Sequence, residues 1–213
     1  MSSTETKVKI CGIKDTNILK KINDLKIDYL GINFIENSKR YIENEIAIKI
    51  SEELKLSSKK INLVGLFQDH DIKLVNKTID LINLDFVQLC GKESTEYVKA
   101  INSKTIKVIH IKESDSVQDV GSKIKFYLAV CDYIILDTYS KKSSGGTGKV
   151  FNWKKYSSLF SKNIFVAGGL NPNNISEIIS IYKPWGVDVS SGVESNGIKD
   201  FNKIRKFIDH SKV

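Results

Sequence analysis

The stretch Val8-Lys9-Ile10-Cys11-Gly12-Ile13 begins the pattern that decides the fold. Its first three residues form a short, largely apolar strand pattern, which runs directly into a thiol and a glycine. Asp15 follows as the predicted N-cap of an amphipathic helix whose apolar residues include Ile18, Leu19 and Ile22. The stretch therefore predicts a strand–turn–helix unit with a cysteine at the C-terminal tip of its strand.

The same unit recurs along the chain, with eight alternations of about 25 residues each. Most of the strand patterns are near-continuous runs of β-branched, aliphatic and aromatic residues, which is typical of parallel strands buried on both faces. The predicted strands are Val8–Ile10, Tyr29–Phe34, Asn62–Phe67, Phe86–Leu89, Ile106–Ile109, Tyr133–Leu136, Ile164–Ala167 and Val187–Val189. The fifth unit has the weakest helical pattern.

Eight alternations within 213 residues favour an α/β fold, a single (β/α)8 TIM barrel at the small end of its size range. A doubly wound open sheet is the alternative, but it normally has fewer strands. The chain has two prolines, Pro172 and Pro184, and no Ser/Gly-rich linker. We therefore expect one domain over residues 1–213, with residues 1–6 as a flexible tail.

Composition limits the classes of function. The net charge is +8, but the cations are nearly all lysines spread along helical patterns, which predicts a solvated surface rather than a nucleic-acid site. No apolar run approaches a membrane span, and residues 1–7 lack the apolar core of a signal peptide. Three cysteines without metal-like spacing predict reduced thiols in a cytoplasmic protein.

The barrel interpretation places functional groups at the C-terminal strand ends and in the loops that follow. The residues at these positions are mostly polar or small. The positions hold Cys11, Asn33, Arg40, Gln68, Gln88, Cys90, His110, Asp137, Gly168, Gly169, Ser190, Ser191 and Gly192.

Two of these residues suggest acid–base chemistry. Asp137 ends an apolar strand, where desolvation raises the pKa of a carboxyl toward that of a general acid. Cys11 can act as a base or nucleophile once ionised. Each also has a structural interpretation, since Asp137 could cap a loop or pair with a lysine, and Cys11 could be a small buried hydrophobe. Together they would place an acid and a base across the barrel mouth.

Three small-residue loops and one arginine suggest anion binding. The loops are Ser143–Gly148, Gly168-Gly169 and Ser190-Ser191-Gly192, which follow the sixth, seventh and eighth strands. Loops after strands seven and eight commonly bind phosphate in such barrels, although tight turns use the same residues. Arg40 follows the second strand and offers a planar fork for a carboxylate or a structural salt bridge. His110 is predicted to be a loop or barrel-rim residue rather than a catalytic one.

Longer motifs resemble one enzyme family over roughly residues 7–208. The motifs are Lys9-Ile10-Cys11-Gly12-Ile13, Ser38-Lys39-Arg40-Tyr41, Val64-Gly65-Leu66-Phe67, Gln88-Leu89-Cys90-Gly91, Leu136-Asp137-Thr138, Gly145-Gly146-Thr147-Gly148, Phe151-Asn152-Trp153, Ala167-Gly168-Gly169-Leu170-Asn171-Pro172, Gly186-Val187-Asp188-Val189-Ser190-Ser191-Gly192-Val193-Glu194 and Gly197-Ile198-Lys199-Asp200. In order and spacing they resemble the phosphoribosylanthranilate isomerases of tryptophan biosynthesis.

The resemblance implies an Amadori rearrangement of N-(5-phosphoribosyl)anthranilate, the third step from chorismate to tryptophan, without cofactor or metal. It implies Cys11 as general base, Asp137 as general acid and Arg40 as the contact for the anthranilate carboxylate. The phosphate-binding residues that it implies are Gly146, Gly168, Gly169, Ser191 and Gly192. Two positions depart from the family, which commonly has proline in place of Lys39 and histidine in place of Cys90.

Three rival functions make different predictions. The related histidine-pathway isomerase resembles this family but has aspartate where Cys11 stands. A catalytically silent barrel would bind a phosphorylated ligand without turnover. A nucleic-acid-binding protein would show steeply salt-dependent affinity. We expect a small phosphorylated substrate, no nucleic acid, no membrane, and a monomer or homodimer.

Overall fold

The computed structural model describes residues 5–57, 59–138 and 152–212. Eight parallel strands follow one another around a closed barrel, and β1 pairs with both β2 and β8. The barrel strands are β1 (Lys7–Cys11), β2 (Tyr29–Asn33), β3 (Asn62–Phe67), β4 (Phe86–Leu89), β5 (Lys104–Ile111), β6 (Tyr133–Thr138), β7 (Ile164–Val166) and β8 (Gly186–Val189). The closure confirms the (β/α)8 barrel and rules out the open sheet.

Helices connect successive strands and cover the outside of the barrel. They are α1 (Thr16–Ile22), α2 (Asn44–Lys55), α3 (Ile72–Ile82), α4 (Thr95–Lys99), α5 (Val117–Leu128), α6 (Trp153–Tyr156), α7 (Ile175–Tyr182) and α8 (Phe201–His210). Asp15 caps α1 as predicted, because its Oδ1 accepts hydrogen bonds from the N–H groups of Asn17 and Ile18. The fifth unit, whose pattern was weakest, forms both β5 and α5.

An antiparallel ribbon after β8 is absent from the predicted elements. It consists of β9 (Glu194–Ser195) and β10 (Ile198–Lys199), joined by Asn196 and Gly197 with positive φ at both residues. Short 3₁₀ helices span Ser157–Leu159 and Ser191–Val193. The ribbon matters because it lies beside the C-terminal mouth of the barrel, directly after the 3₁₀ helix that follows β8.

The buried apolar residues form two layers. One fills the space between barrel and helices, and the other fills the barrel interior. At the N-terminal end of the interior, Tyr29, Phe86, Tyr133 and Phe165 pack edge-to-face or tilted, with Trp185 stacked on Tyr133. This aromatic floor closes the barrel below and leaves the polar side chains at the opposite end.

The described part of the N-terminus begins at Glu5, since residues 1–4 lie outside the described residues. Glu5 pairs with Lys26, and the Thr6 hydroxyl donates to the carbonyl of Pro184. The single-domain boundary stays a prediction. Among the described residues, no helix is both long and apolar enough to cross a bilayer.

Candidate active site

Cys11 occupies the C-terminal tip of β1, at the mouth of the barrel. It is 6% exposed, and its paired residue on the neighbouring strand β2 is Gly31. The Ser190 hydroxyl donates to the Cys11 carbonyl at 3.0 Å and thereby links the ends of β1 and β8. Burial raises the pKa of the Cys11 thiol above its usual range, while the ammonium groups of Lys9 and Lys199 oppose that rise.

Lys9 is fully buried inside the barrel, two residues before Cys11 and therefore on the same face of β1. Its Nζ donates to Asp188 Oδ1 on β8 at 2.8 Å. Burial alone would lower the pKa of Lys9, but attraction to Asp188 and to the thiol outweighs it and raises the pKa. A buried lysine thus stays charged beside Cys11.

Asp137 lies near the end of β6 and faces the same ion pair. Burial, followed by the negative charge of Asp188, raises the pKa of Asp137 to about 6, with Lys9 opposing. The N–H of Thr138 donates to Asp137 Oδ1 at 2.7 Å. Because Cys11 and Asp137 both interact with Lys9 and Asp188, the structure brings the two predicted acid–base groups to one site.

Arg40 reaches the mouth from the loop after β2. Its side chain passes over Gly12, where an added Cβ would lie 2.4 Å from Arg40 Cδ. Its Nε and Nη2 donate to the two carboxylate oxygens of Glu194, each at 2.7 Å. Lys199 also donates to Glu194, across the β9–β10 ribbon, and to the Ser190 carbonyl at 3.0 Å. The salt bridge that was one of two interpretations of Arg40 is present.

The loops after β7 and β8 meet at the mouth. Gly168 and Gly169 have φ of 81° and 72°, and an added Cβ at Gly192 would lie 1.9 Å from the Leu170 carbonyl oxygen. The N–H groups of Gly168 and Gly169 donate no hydrogen bond to any other described residue. Ser191 begins the 3₁₀ helix after β8. Gly146 and the rest of its loop lie outside the described residues.

A second polar group surrounds Cys90 after β4. Gln88 Nε2 donates to Cys90 Sγ at 3.4 Å, and Gln88 Oε1 is buried without a partner among the described residues. His110 Nε2 lies 3.3 Å from the Cys90 carbonyl oxygen, and burial lowers the pKa of His110. His110 is half-buried at the barrel rim, where it was expected.

Sequence reasoning missed Lys9, Asp188, Glu194 and Lys199. The prediction of solvated lysines is wrong at Lys9, and also at Lys107, which is 2% exposed and pairs with buried Glu93. Strand periodicity could have placed Lys9 on the face of Cys11. The Asn196-Gly197 dipeptide is a strong signal for a two-residue hairpin, and it could have revealed the ribbon.

Comparisons with known proteins agree with one another. The model of the family described as N-(5'phosphoribosyl)anthranilate (PRA) isomerase matches residues 8–210. A Dehalococcoides mccartyi protein named N-(5'-phosphoribosyl)anthranilate isomerase is 40% identical over 211 residues, which covers 97% of this chain and 95% of that protein.

Two solved structures show the same architecture. The phosphoribosyl anthranilate isomerase of Thermotoga maritima superposes with a TM-score of 0.84 at 30% identity, and the match covers 97% of this chain and 98% of that one. A phosphoribosyl anthranilate isomerase in complex with reduced 1-(o-carboxyphenylamino)-1-deoxyribulose 5-phosphate has a TM-score of 0.79 at 30% identity, with the same coverage.

Proposed function

The chain belongs to the N-(5'-phosphoribosyl)anthranilate isomerase family of tryptophan biosynthesis, and on this premise we propose that Cys11 and Asp137 are the base and acid of its reaction. The reaction is the Amadori rearrangement of N-(5-phosphoribosyl)anthranilate to 1-(2-carboxyphenylamino)-1-deoxyribulose 5-phosphate. The observation that carries the assignment is the convergence of both side chains on the Lys9–Asp188 pair.

Asp137 acts first, as the acid. It protonates the ribose ring oxygen, the bond from that oxygen to C1′ breaks, and the nitrogen lone pair forms the C1′=N bond of a protonated Schiff base. A pKa of about 6 leaves part of the carboxyl protonated near neutral pH, so that it can donate a proton.

Cys11 acts second, as the base. Its thiolate removes the proton from C2′, and the electrons of that C–H bond form the C1′=C2′ bond of an enolamine while the nitrogen becomes neutral. The enolamine then tautomerises to the ketose: C1′ gains a proton, in effect the one that Cys11 took from C2′, and the 2′-hydroxyl loses its proton as the C2′=O bond forms. That proton replaces the one that Asp137 gave to the ring oxygen. Lys9 and Lys199 stabilise the thiolate, which offsets part of the desolvation cost at this buried tip.

Binding at both ends positions the reacting carbon between the two groups. Support for a phosphate subsite comes from the left-handed Gly168-Gly169 turn, whose N–H groups donate to no other described residue, beside Ser191 and Gly192. Gly146, outside the described residues, is proposed for the same subsite by resemblance. Arg40 is proposed to hold the anthranilate carboxylate. We expect no cofactor, no metal, a cytoplasmic location, and a monomer or homodimer.

The test measures the loss of substrate fluorescence after purified protein is added to N-(5-phosphoribosyl)anthranilate. Cys11→Ser and Asp137→Ala should each lower kcat by about 10³-fold or more, because each removes a proton-transfer group. Cys131→Ser is the matched control, since Cys131 is buried but lies before β6, away from the mouth, and full activity is expected. Wild-type turnover in Cys11→Ser or Asp137→Ala would refute the role of that residue.

A further inference from the structure

The guanidinium of Arg40 is already engaged on one side. Glu194 accepts from Nε and Nη2 in a bidentate pair at 2.7 Å and 2.7 Å, which occupies the lateral edge of the fork. Both Nη1 hydrogens and one Nη2 hydrogen have no partner among the described residues. One Nη1 hydrogen and the remaining Nη2 hydrogen form the end-on edge of the guanidinium, and this edge can still bind a second carboxylate in bidentate fashion.

Glu194 is itself held rigidly. Its side chain is 7% exposed, and the Lys199 ammonium, 4% exposed, contacts the carboxylate from the neighbouring strand of the ribbon. Burial would raise the pKa of Glu194, but Arg40 and Lys199 outweigh it and hold the pKa below its usual range. A carboxylate with cations on both sides stays ionised and does not leave Arg40 readily.

We propose that Glu194 is a positioning residue that clamps Arg40 by its lateral edge and presents the end-on edge to the carboxylate of the substrate. The inference rests on the proposed function, because it assumes that Arg40 binds this carboxylate. Lys199 offsets the repulsion that two carboxylates on one guanidinium would otherwise exert. The ribbon after β8 thereby sets the recognition of the aromatic acid by a loop after β2.

The opposite interpretation is that Glu194 competes with the substrate carboxylate for Arg40. If Glu194 had to leave Arg40 before substrate could bind, removing the charge of Glu194 would tighten substrate binding. The two interpretations therefore predict opposite changes in KM for the same variant. A purely structural role of Glu194 predicts an equal loss of kcat/KM for substrates with and without the carboxylate.

The experiment compares two substrates in Glu194→Gln. One is N-(5-phosphoribosyl)anthranilate, and the other is the glycosylamine of aniline and ribose 5-phosphate, which lacks the carboxylate. Glutamine turns one acceptor of the bidentate pair into a donor, so that Arg40 is no longer held at both nitrogens. We expect kcat/KM to fall about tenfold or more for the anthranilate substrate, mostly through KM, and less than about threefold for the aniline substrate.

The ratio of the two kcat/KM values does not depend on the concentration of active enzyme, so partial unfolding of the variant cannot produce the result. Lys203→Met is the control, because Lys203 Nζ donates to the Glu194 backbone carbonyl at 2.7 Å without touching its carboxylate. It should leave the ratio unchanged. Lys199 is unsuitable as a control because it also interacts with Cys11.

Three outcomes overturn the proposal: a lower KM for the anthranilate substrate in Glu194→Gln, an equal loss for both substrates, or no change in either. If the wild-type protein turns over neither substrate, the proposed function itself fails. If it turns over N-(5-phosphoribosyl)anthranilate and the ratio stays constant, only the role of Glu194 fails.

Discussion

Lys9 shows how a single residue can alter the chemistry of its neighbours. Its ammonium is buried between Asp188 and the Cys11 thiol, with Asp137 nearby, so one positive charge acts on two carboxyl groups and a thiol. In a site of low polarity such interactions are far stronger than in water. Lys9 therefore influences the ionisation of both Cys11 and Asp137.

Removing that charge should make the thiolate harder to form. In Lys9→Met we expect the thiol pKa of Cys11 to rise further, because the largest opposing attraction is lost. The measurement is the ultraviolet thiolate absorbance against pH, as the difference between each protein and its Cys11→Ser version. Lys7→Met is the control, since Lys7 pairs with Asp28 at the other end of β1. An unshifted titration in Lys9→Met would contradict the role of Lys9.

Asp137 should lower the stability of the protein at neutral pH. Its folded-state pKa of about 6 exceeds the ordinary value of 3.8, so the folded protein binds the proton more tightly than the unfolded chain. The free energy of unfolding therefore falls as pH rises from about 4 to about 6, and the penalty persists above that range.

Asp137→Asn should accordingly unfold at higher urea concentration at pH 7, by roughly 1–3 kcal/mol, while losing turnover. The difference should shrink as the pH falls through this range and vanish below about pH 3, where the wild-type carboxyl is protonated in both states. Equal stability of both proteins at pH 7 would show that the carboxyl carries no such penalty.

At the scale of elements, the turn after β1 and the ribbon after β8 build the same side of the mouth. Gly12 has φ of 85°, and its missing Cβ makes room for the Arg40 side chain that reaches Glu194 on β9. The turn therefore has two requirements, a left-handed backbone and an open path above it, and glycine meets both.

Gly12→Ala should damage binding as well as stability. We expect a loss of about 1–2 kcal/mol from the left-handed backbone, and a several-fold higher KM because Arg40 is displaced. Gly197→Ala is the matched control, since Gly197 has φ of 78° but no atom within 4 Å of the added Cβ. It should cost similar stability by urea denaturation and leave KM unchanged. Equal KM values in the two variants would contradict the steric argument.

Particular elements show what local pattern can and cannot predict. The cap Asp15 was predictable because the N–H groups that it binds lie two and three residues away. The strand ends that present Cys11 and Asp137 were also readable, because burial on both faces leaves an apolar run that stops abruptly. The β9–β10 ribbon was missed because its two-residue strands carry no periodic signal, and the Asn196-Gly197 turn was its one local signal.

At the scale of the whole molecule, the aromatic floor and the proposed active site occupy opposite ends of the barrel. The floor lies at the N-terminal strand ends, and Cys11 and Asp137 lie at the C-terminal ends. Phe165 is fully buried in this floor, 5.3 Å from the Tyr29 ring and 5.0 Å from that of Trp185. Packing there should support the fold without touching the reaction.

Phe165→Leu should lower the free energy of unfolding by about 1–3 kcal/mol, because it leaves a cavity in the floor. The kcat of the folded fraction should stay at the wild-type value. Urea denaturation and fluorescence turnover measure the two quantities. Phe126→Leu is the control, since Phe126 is 59% exposed on α5 and should change neither. A large fall in kcat with Phe165→Leu would show that floor and mouth are not independent.

The sequence by itself determined the eightfold alternation and which residues stand at the strand ends, because these depend on near neighbours in the chain. Only the tertiary structure decided the environments of those residues. Lys9 can be buried because it pairs with Asp188, which lies 179 residues later in the chain. Arg40 is held in place by Glu194, which lies 154 residues later. A buried charge is stable only beside its partner. Barrel closure between β1 and β8, which no local pattern encodes, brings such partners together.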